Sequence, residues 1–227
     1  MKILIILVTI SLCAISQASA LDLSTLSSQQ LEKLNQGEIV VIEHKVPGKS
    51  WPKLEIFLAF KSPPERALAL FSAFEEQTKY IPNLIEARAF EPKPNEIHVQ
   101  YKLAMPWPLS AQSYIHAHQL ENKRPGTYSV KWWKIRSEIA DQVEGQATFS
   151  PYENGSLLHY QSFVDPHSIF AGIVRKIMVK DVKTSLLATR KFVDEQSEQK
   201  TEFSKKALHF LRNSLQNIRN YPEKLNE

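Results

Sequence analysis

Between Asp165 and Val193 the chain reads DPHSIFAGIVRKIMVKDVKTSLLATRKFV, and this stretch limits the fold more than any other. Asp165 is a good helix N-cap and Pro166 would take the first helical position, where its missing N–H costs nothing. At 100° per residue Phe170, Ile173, Val174, Ile177, Met178, Ala188 and Phe192 share one apolar sector, with Arg175, Lys176, Lys183 and Arg190 outside it. Three polar residues, Asp181, Thr184 and Ser185, interrupt that sector near its middle. A carboxylate in an apolar wall is costly unless it is paired, hydrogen-bonded or protonated. Two readings follow: the helix rolls there so that Asp181 meets water or a lysine, or it lids a cavity and these groups face a ligand or ordered water.

What precedes the helix is strand-like. Leu21 to Gln36 is a polar lead-in with leucines at 23, 26, 31 and 34, expected as a short surface helix ended by Gly37. Glu38 to Val46 and Lys53 to Lys61 alternate and are joined by Pro47-Gly48, a hairpin. Ser62-Pro63-Pro64-Glu65 has the form of a capping box, opening a helix that turns Leu68, Phe71 and Phe74 inward and breaks near Tyr80-Ile81-Pro82. Six further strands are expected at 85–90, 96–105, 112–121, 127–135, 142–150 and 156–164. Turn residues separate them, Asn154-Gly155 being the strongest signal. The pattern predicts an α+β fold in which a curved antiparallel sheet is covered on one face by the long C-terminal helix.

Lys2, the apolar run from Ile3 to Ile15 and the small-x-small signal Ala18-Ser19-Ala20 predict a signal peptide cleaved after Ala20, and so a periplasmic or secreted protein. The single cysteine, Cys13, falls inside that leader behind Leu12, which argues against lipidation. The mature chain then has no disulfide and must hold together through its core, which roughly 200 residues can supply. The expected divisions are 1–20 signal peptide, 21–37 lead-in, 38–196 ligand-binding domain and 197–227 amphipathic tail. A net charge of +4 over 227 residues is too weak for a nucleic-acid partner, although it allows peripheral contact with an anionic membrane surface.

Alternation turns Ile97, Val99, Tyr101 and Leu103 inward, together with Val130 and Trp132, and with Gly145, Ala147 and Phe149. Small residues at 145 and 147 would leave room inside the sheet. His116 and His118 form an H-x-H spacing that two metal ligands can use, but no carboxylate or cysteine completes a cluster, so no metal is assigned. No nucleophile elbow, dinucleotide fingerprint or phosphate loop is present, and no cofactor is assigned. Tyr114, Trp132 and Trp133 read as strand core, whereas Trp107, in a Pro-flanked turn, suits the rim of a pocket or a membrane contact. The tail from Thr201 to Tyr221 carries Phe203, Ala207, Phe210, Leu211, Leu215 and Ile218 on one face, fit to pack on the domain or to dock on a partner. With no Gly or Pro between Gly172 and Pro222, its separation from the long helix stays open.

The order of KSPPERALALF, KYIPNLIEARAF, MPWPLS, the phrase from Gly145 to Tyr160 and Asp165-Pro166 resembles the START-like superfamily, also called SRPBCC or helix-grip, over roughly Glu38 to Glu195. The resemblance implies a cavity between sheet and helix that binds lipids, sterols, polyketides or similar molecules, and it favours Leu158 and Tyr160 inward. Many members carry an Arg-Asp pair after the Pro-rich turn; here Gln112 and Ser113 stand instead. The candidate ligand-binding residues are Tyr101, His116, Trp132, Phe149, Tyr160, Ile177, Met178, Asp181 and Ser185. The preferred reading is an exported binder of a hydrophobic small molecule. Its rivals are a cyclase-like enzyme using His116, Tyr160 and Asp181, and an interaction module docking through the tail.

Overall fold

A computed structural model describes residues 23–93, 95–105, 110–166 and 171–218; the leader, Trp107 and residues 167–170 of the expected long helix lie outside them. Eight strands form one antiparallel sheet: β1 (Val40–His44), β2 (Lys53–Phe60), β3 (Leu84–Lys93), β4 (Glu96–Leu103), β5 (Gln112–Arg124), β6 (Thr127–Ser137), β7 (Ala140–Tyr152) and β8 (Gly155–Pro166). Their spatial order is β1-β2-β8-β7-β6-β5-β4-β3. Each alternating run in the sequence becomes a strand. Consecutive strands pair with each other except where β8 returns to lie against β2, registering Leu58 opposite Leu158.

Among the described residues four α-helices accompany the sheet: α1 (Ser28–Asn35), α2 (Pro64–Phe71), α3 (Ala171–Gln199) and α4 (Glu202–Leu215), with a 3₁₀ turn at Phe74–Lys79. On the concave face Ile56, Leu58, Val99, Leu120, Val130, Ala147, Phe149 and Leu158 form the main core with α2, α3 and α4. A smaller cluster, Leu26, Leu34, Val40, Phe57 and Leu157, lies on the convex face under α1. This explains why β2 and β8 are apolar on both sides: each has a covered face above and below. The family-favoured inward placement of Leu158 holds, and Leu157 serves the other face.

Three local expectations are corrected. Asp165 and Pro166 do not open the long helix; they end β8, opposite Gln142 and Ala140, and Lys49 donates to Asp165 at 2.6 Å. Proline is tolerated where a bulge interrupts the ladder, and the register shifts between Ala140 and Gln142 opposite this pair, so the dipeptide suits that role equally well. Ser62 does not cap α2. The cap position is Pro63, without a side-chain bond, and the Ser62 hydroxyl donates to Ser197 of α3 at 2.9 Å. Phe74 lies beyond α2, in the 3₁₀ turn.

The long helix and the tail are separate helices. Lys200 adopts φ +48°, and the Thr201 hydroxyl accepts the Ser204 N–H at 3.1 Å, so a non-glycine left-handed residue and a new N-cap make the break. Ala207, Phe210 and Leu211 are buried, with α4 lying along α2, and Arg212 grips Glu65 of α2 through two 2.8 Å bonds.

Candidate functional site

The two halves of α3 meet the sheet differently. Toward its C-terminus Leu186, Thr189, Val193 and Ser197 are buried. There Asp194 accepts the backbone N–H groups of Lys61 and Ser62 at 3.0 and 3.3 Å, and Arg190 donates to the Gly37 carbonyl at 2.6 Å. Toward its N-terminus Met178 and Val182 are only partly covered, and Asp181 is exposed. Between this half and the concave sheet lies a cavity of about 560 Å³, within the roughly 300–1,000 Å³ typical of small-molecule sites.

The cavity opens at one end of the sheet. β3 begins there, β4 ends, β6 turns into β7 and β8 ends; of the lining residues at this end Pro82, Asn83 and Ala104 are exposed and Ile139 is partly so. The opposite end is filled. Phe149, 0% exposed, meets Phe60 and Phe71 edge-on at 5.4 and 5.5 Å.

Seven of the nine candidate residues stand on the cavity wall: Tyr101, His116, Trp132 and Tyr160 from the sheet, and Met178, Asp181 and Ser185 from α3. Phe149 does not; it belongs to the closed-end core, behind the Phe71 ring that does line the cavity. The side chain of Ile177 lies outside the described residues. Of the three polar residues in the apolar sector, Thr184 is on the solvent side, donating to the Lys180 carbonyl at 2.9 Å, while Asp181 and Ser185 border the cavity. The room expected beside Gly145 is taken by Trp132. A Cβ there would stand 2.2 Å from its indole, so the glycine lets the ring lie flat as wall. Trp132 in turn packs on Tyr160 at 5.1 Å.

Sequence reasoning left Tyr114 and His118 out of the site. Both line the cavity, since Tyr114, His116 and His118 share one face of β5. Strict alternation on that strand carries the signal. Tyr101 and His118 are hydrogen-bonded, hydroxyl to Nε2, at 3.4 Å, and the Tyr114 ring lies 4.5 Å from that of His116. Nε2 of His116 is buried without a partner.

This wall is electrically quiet. Burial pushes His116 down to about 4, and burial together with nearby His116 pushes His118 down to about 3, so both imidazoles are neutral near pH 7. Burial also raises Tyr114 and Tyr160 above the usual phenol range. Asp181 is raised by burial against the pull of Lys180. Among the described residues no lysine or arginine lines the cavity, and no three His, Cys, Asp or Glu side chains group as a metal site. Such a wall can hold apolar surface and exchange a few hydrogen bonds.

No protein-family model matches the chain, and no curated protein sequence matches it significantly. Solved structures do. A STAR-related lipid transfer protein from Xanthomonas axonopodis superposes with a TM-score of 0.62 at 16% identity, over 68% of this chain and 93% of that one. Human STARD10 gives 0.60 at 17% identity, over 78% and 76%. The Zhui aromatase/cyclase from Streptomyces sp. R1128 gives 0.51 at 10% identity, over 65% and 94%. Together with the sheet order and the closing helix, these likenesses give the chain the START-like, or SRPBCC, helix-grip fold, α+β with a curved antiparallel sheet wrapped on a long C-terminal helix.

Proposed function

We propose that this protein binds a hydrophobic small molecule, of lipid, sterol or polyketide-like class, in the cavity between the sheet and the N-terminal half of α3. We propose further that it does so after export, the leader being removed behind Ala20. The observation that carries the binding reading is the cavity itself, about 560 Å³ left open where an apolar helix would otherwise close on an apolar sheet. Its walls of Trp132, Val143, Val164, Met178, Val182 and Leu186 suit an apolar occupant. Covering about 300 Å² of ligand apolar surface is worth on the order of 7 kcal/mol before ordering costs, against about 1 kcal/mol net for one hydrogen bond. Apolar walls therefore set affinity and the polar groups set orientation. The names of the neighbouring structures, lipid transfer among them, agree with this reading.

Native mass spectrometry of protein purified from its own host, followed by organic extraction, tests it directly. A stoichiometric apolar adduct is the expected result, and a bare chain that takes up no added lipid would refute it. N-terminal sequencing of the same material should begin at Leu21; an intact Met1 would refute export.

A further inference from the structure

We infer that Tyr101, Tyr114, His116 and His118 form a head-group subsite for a neutral hydroxyl or carbonyl, so that the ligand is an alcohol or ketone with a long apolar body, not a carboxylate or phosphate. This rests on the cavity reading above and narrows it to a chemical class.

Three observations carry the inference. Four of the wall's polar side chains stand together on two neighbouring strands, Tyr101 of β4 registered opposite Tyr114 of β5 with His116 and His118 following on the same face, while Tyr160, Ser162, Ser185 and Thr189 are spread over β8 and α3. His118 is 5% exposed and engages the Tyr101 hydroxyl, while Nε2 of His116 is buried with no partner, a hydrogen-bonding capacity that the protein itself leaves unused. The charge pattern decides the class. No lysine or arginine is among the described lining residues, and the one charged residue there is Asp181, an exposed acid on α3. An ionised head group drawn inside would lose its water without gaining a counter-charge. A hydroxyl can both donate and accept, which matches phenols and neutral imidazoles, each of which does the same. The histidines' strongly depressed basicity agrees, since it keeps them from serving as cations near neutral pH.

The test uses displacement of Nile red, a neutral apolar dye, from the full chain at pH 7 by 1-dodecanol, dodecanoate and dodecane. Dodecanol is expected to bind at least tenfold more tightly than dodecanoate. Because an alcohol also leaves water more readily than a carboxylate, the deciding comparison is between variants. Tyr101→Phe and His116→Leu should each weaken dodecanol three- to tenfold while leaving dodecane within twofold, as loss of one hydrogen bond predicts. Dodecanoate binding as tightly as dodecanol in the unsubstituted protein overturns the inference, as does an unchanged dodecanol affinity in both variants. Failure of Nile red and dodecane to bind at all overturns the cavity reading itself, and the subsite with it.

Discussion

His116 and His118 show what burial does to a single residue. In the unfolded chain each would titrate near 6.5, whereas in the fold they are held to about 4 and about 3. As pH falls through 6.5 the unfolded chain takes up protons that the folded one refuses. Stability contributed by the neutral, buried rings is therefore complete above pH 6.5, shrinks on acidification and stops shrinking below the folded values. At pH 5 the loss is about 2 kcal/mol for each histidine. Urea unfolding at pH 7 and pH 5 should show this fall, and His118→Phe should remove roughly half of it; an unchanged pH slope in that variant would contradict the burial argument. Gly145 makes a steric counterpart. Its added Cβ would lie 2.2 Å from Trp132 and 2.6 Å from the Gln161 carbonyl. Gly145→Ala should cost about 1–3 kcal/mol through overpacking, read as a lowered urea midpoint, and because backbone is among the obstacles, Trp132→Ala in the same chain should not restore it.

Within α3, one element performs two tasks. Its C-terminal half is fastened by Asp194, whose carboxylate receives two backbone N–H groups from the turn before α2. Asp194→Ala should therefore lower stability by about 1–3 kcal/mol, since those donors lose their acceptor, whereas Asp181→Ala, on the exposed stretch, should stay within about 0.5 kcal/mol. Equal effects on the urea midpoint would mean that the two halves are not distinct. This division also sets what the sequence could reveal. Period-2 alternation located all eight strands, because each has at least one face that must be hidden. Asp181 and Ser185 stood out as polar residues in an apolar sector, and both border the cavity. Phe149 misled because its parity says only that it faces the concave side; how far along the strand the space is filled depends on α2 and α3, which no local pattern encodes. The Asp165-Pro166 pair fits a strand end and a helix start alike, so the end of β8 was hidden. The break at Lys200 lacked the usual Gly or Pro and rests on a strained lysine together with the Thr201 cap.

At the scale of the whole molecule, stability and binding are placed at opposite ends of one sheet. At the closed end Phe149 meets Phe60 and Phe71, the last residue of α2, edge-on, and α4 buries its apolar face along that same helix, so the amphipathic tail braces the filled end. The open end is lined by the same strands near their other termini and by the less covered half of α3. A substitution's effect should then depend on where along the sheet it falls more than on its chemistry. Phe149→Leu loosens a packed aromatic contact and should cost about 1–2 kcal/mol of stability, while Nile red affinity changes less than twofold, because Phe149 does not reach the cavity. Ser185→Leu adds three carbon atoms where α3 borders empty space. It should leave the urea midpoint within about 0.5 kcal/mol or raise it, since space is filled instead of created, and it should abolish or reduce dye uptake at least tenfold. The paired measurement is informative because a general loosening of the fold would move both variants in both assays. If Phe149→Leu impaired uptake as strongly as Ser185→Leu, the cavity would extend into the closed end and the separation of the two ends would be wrong.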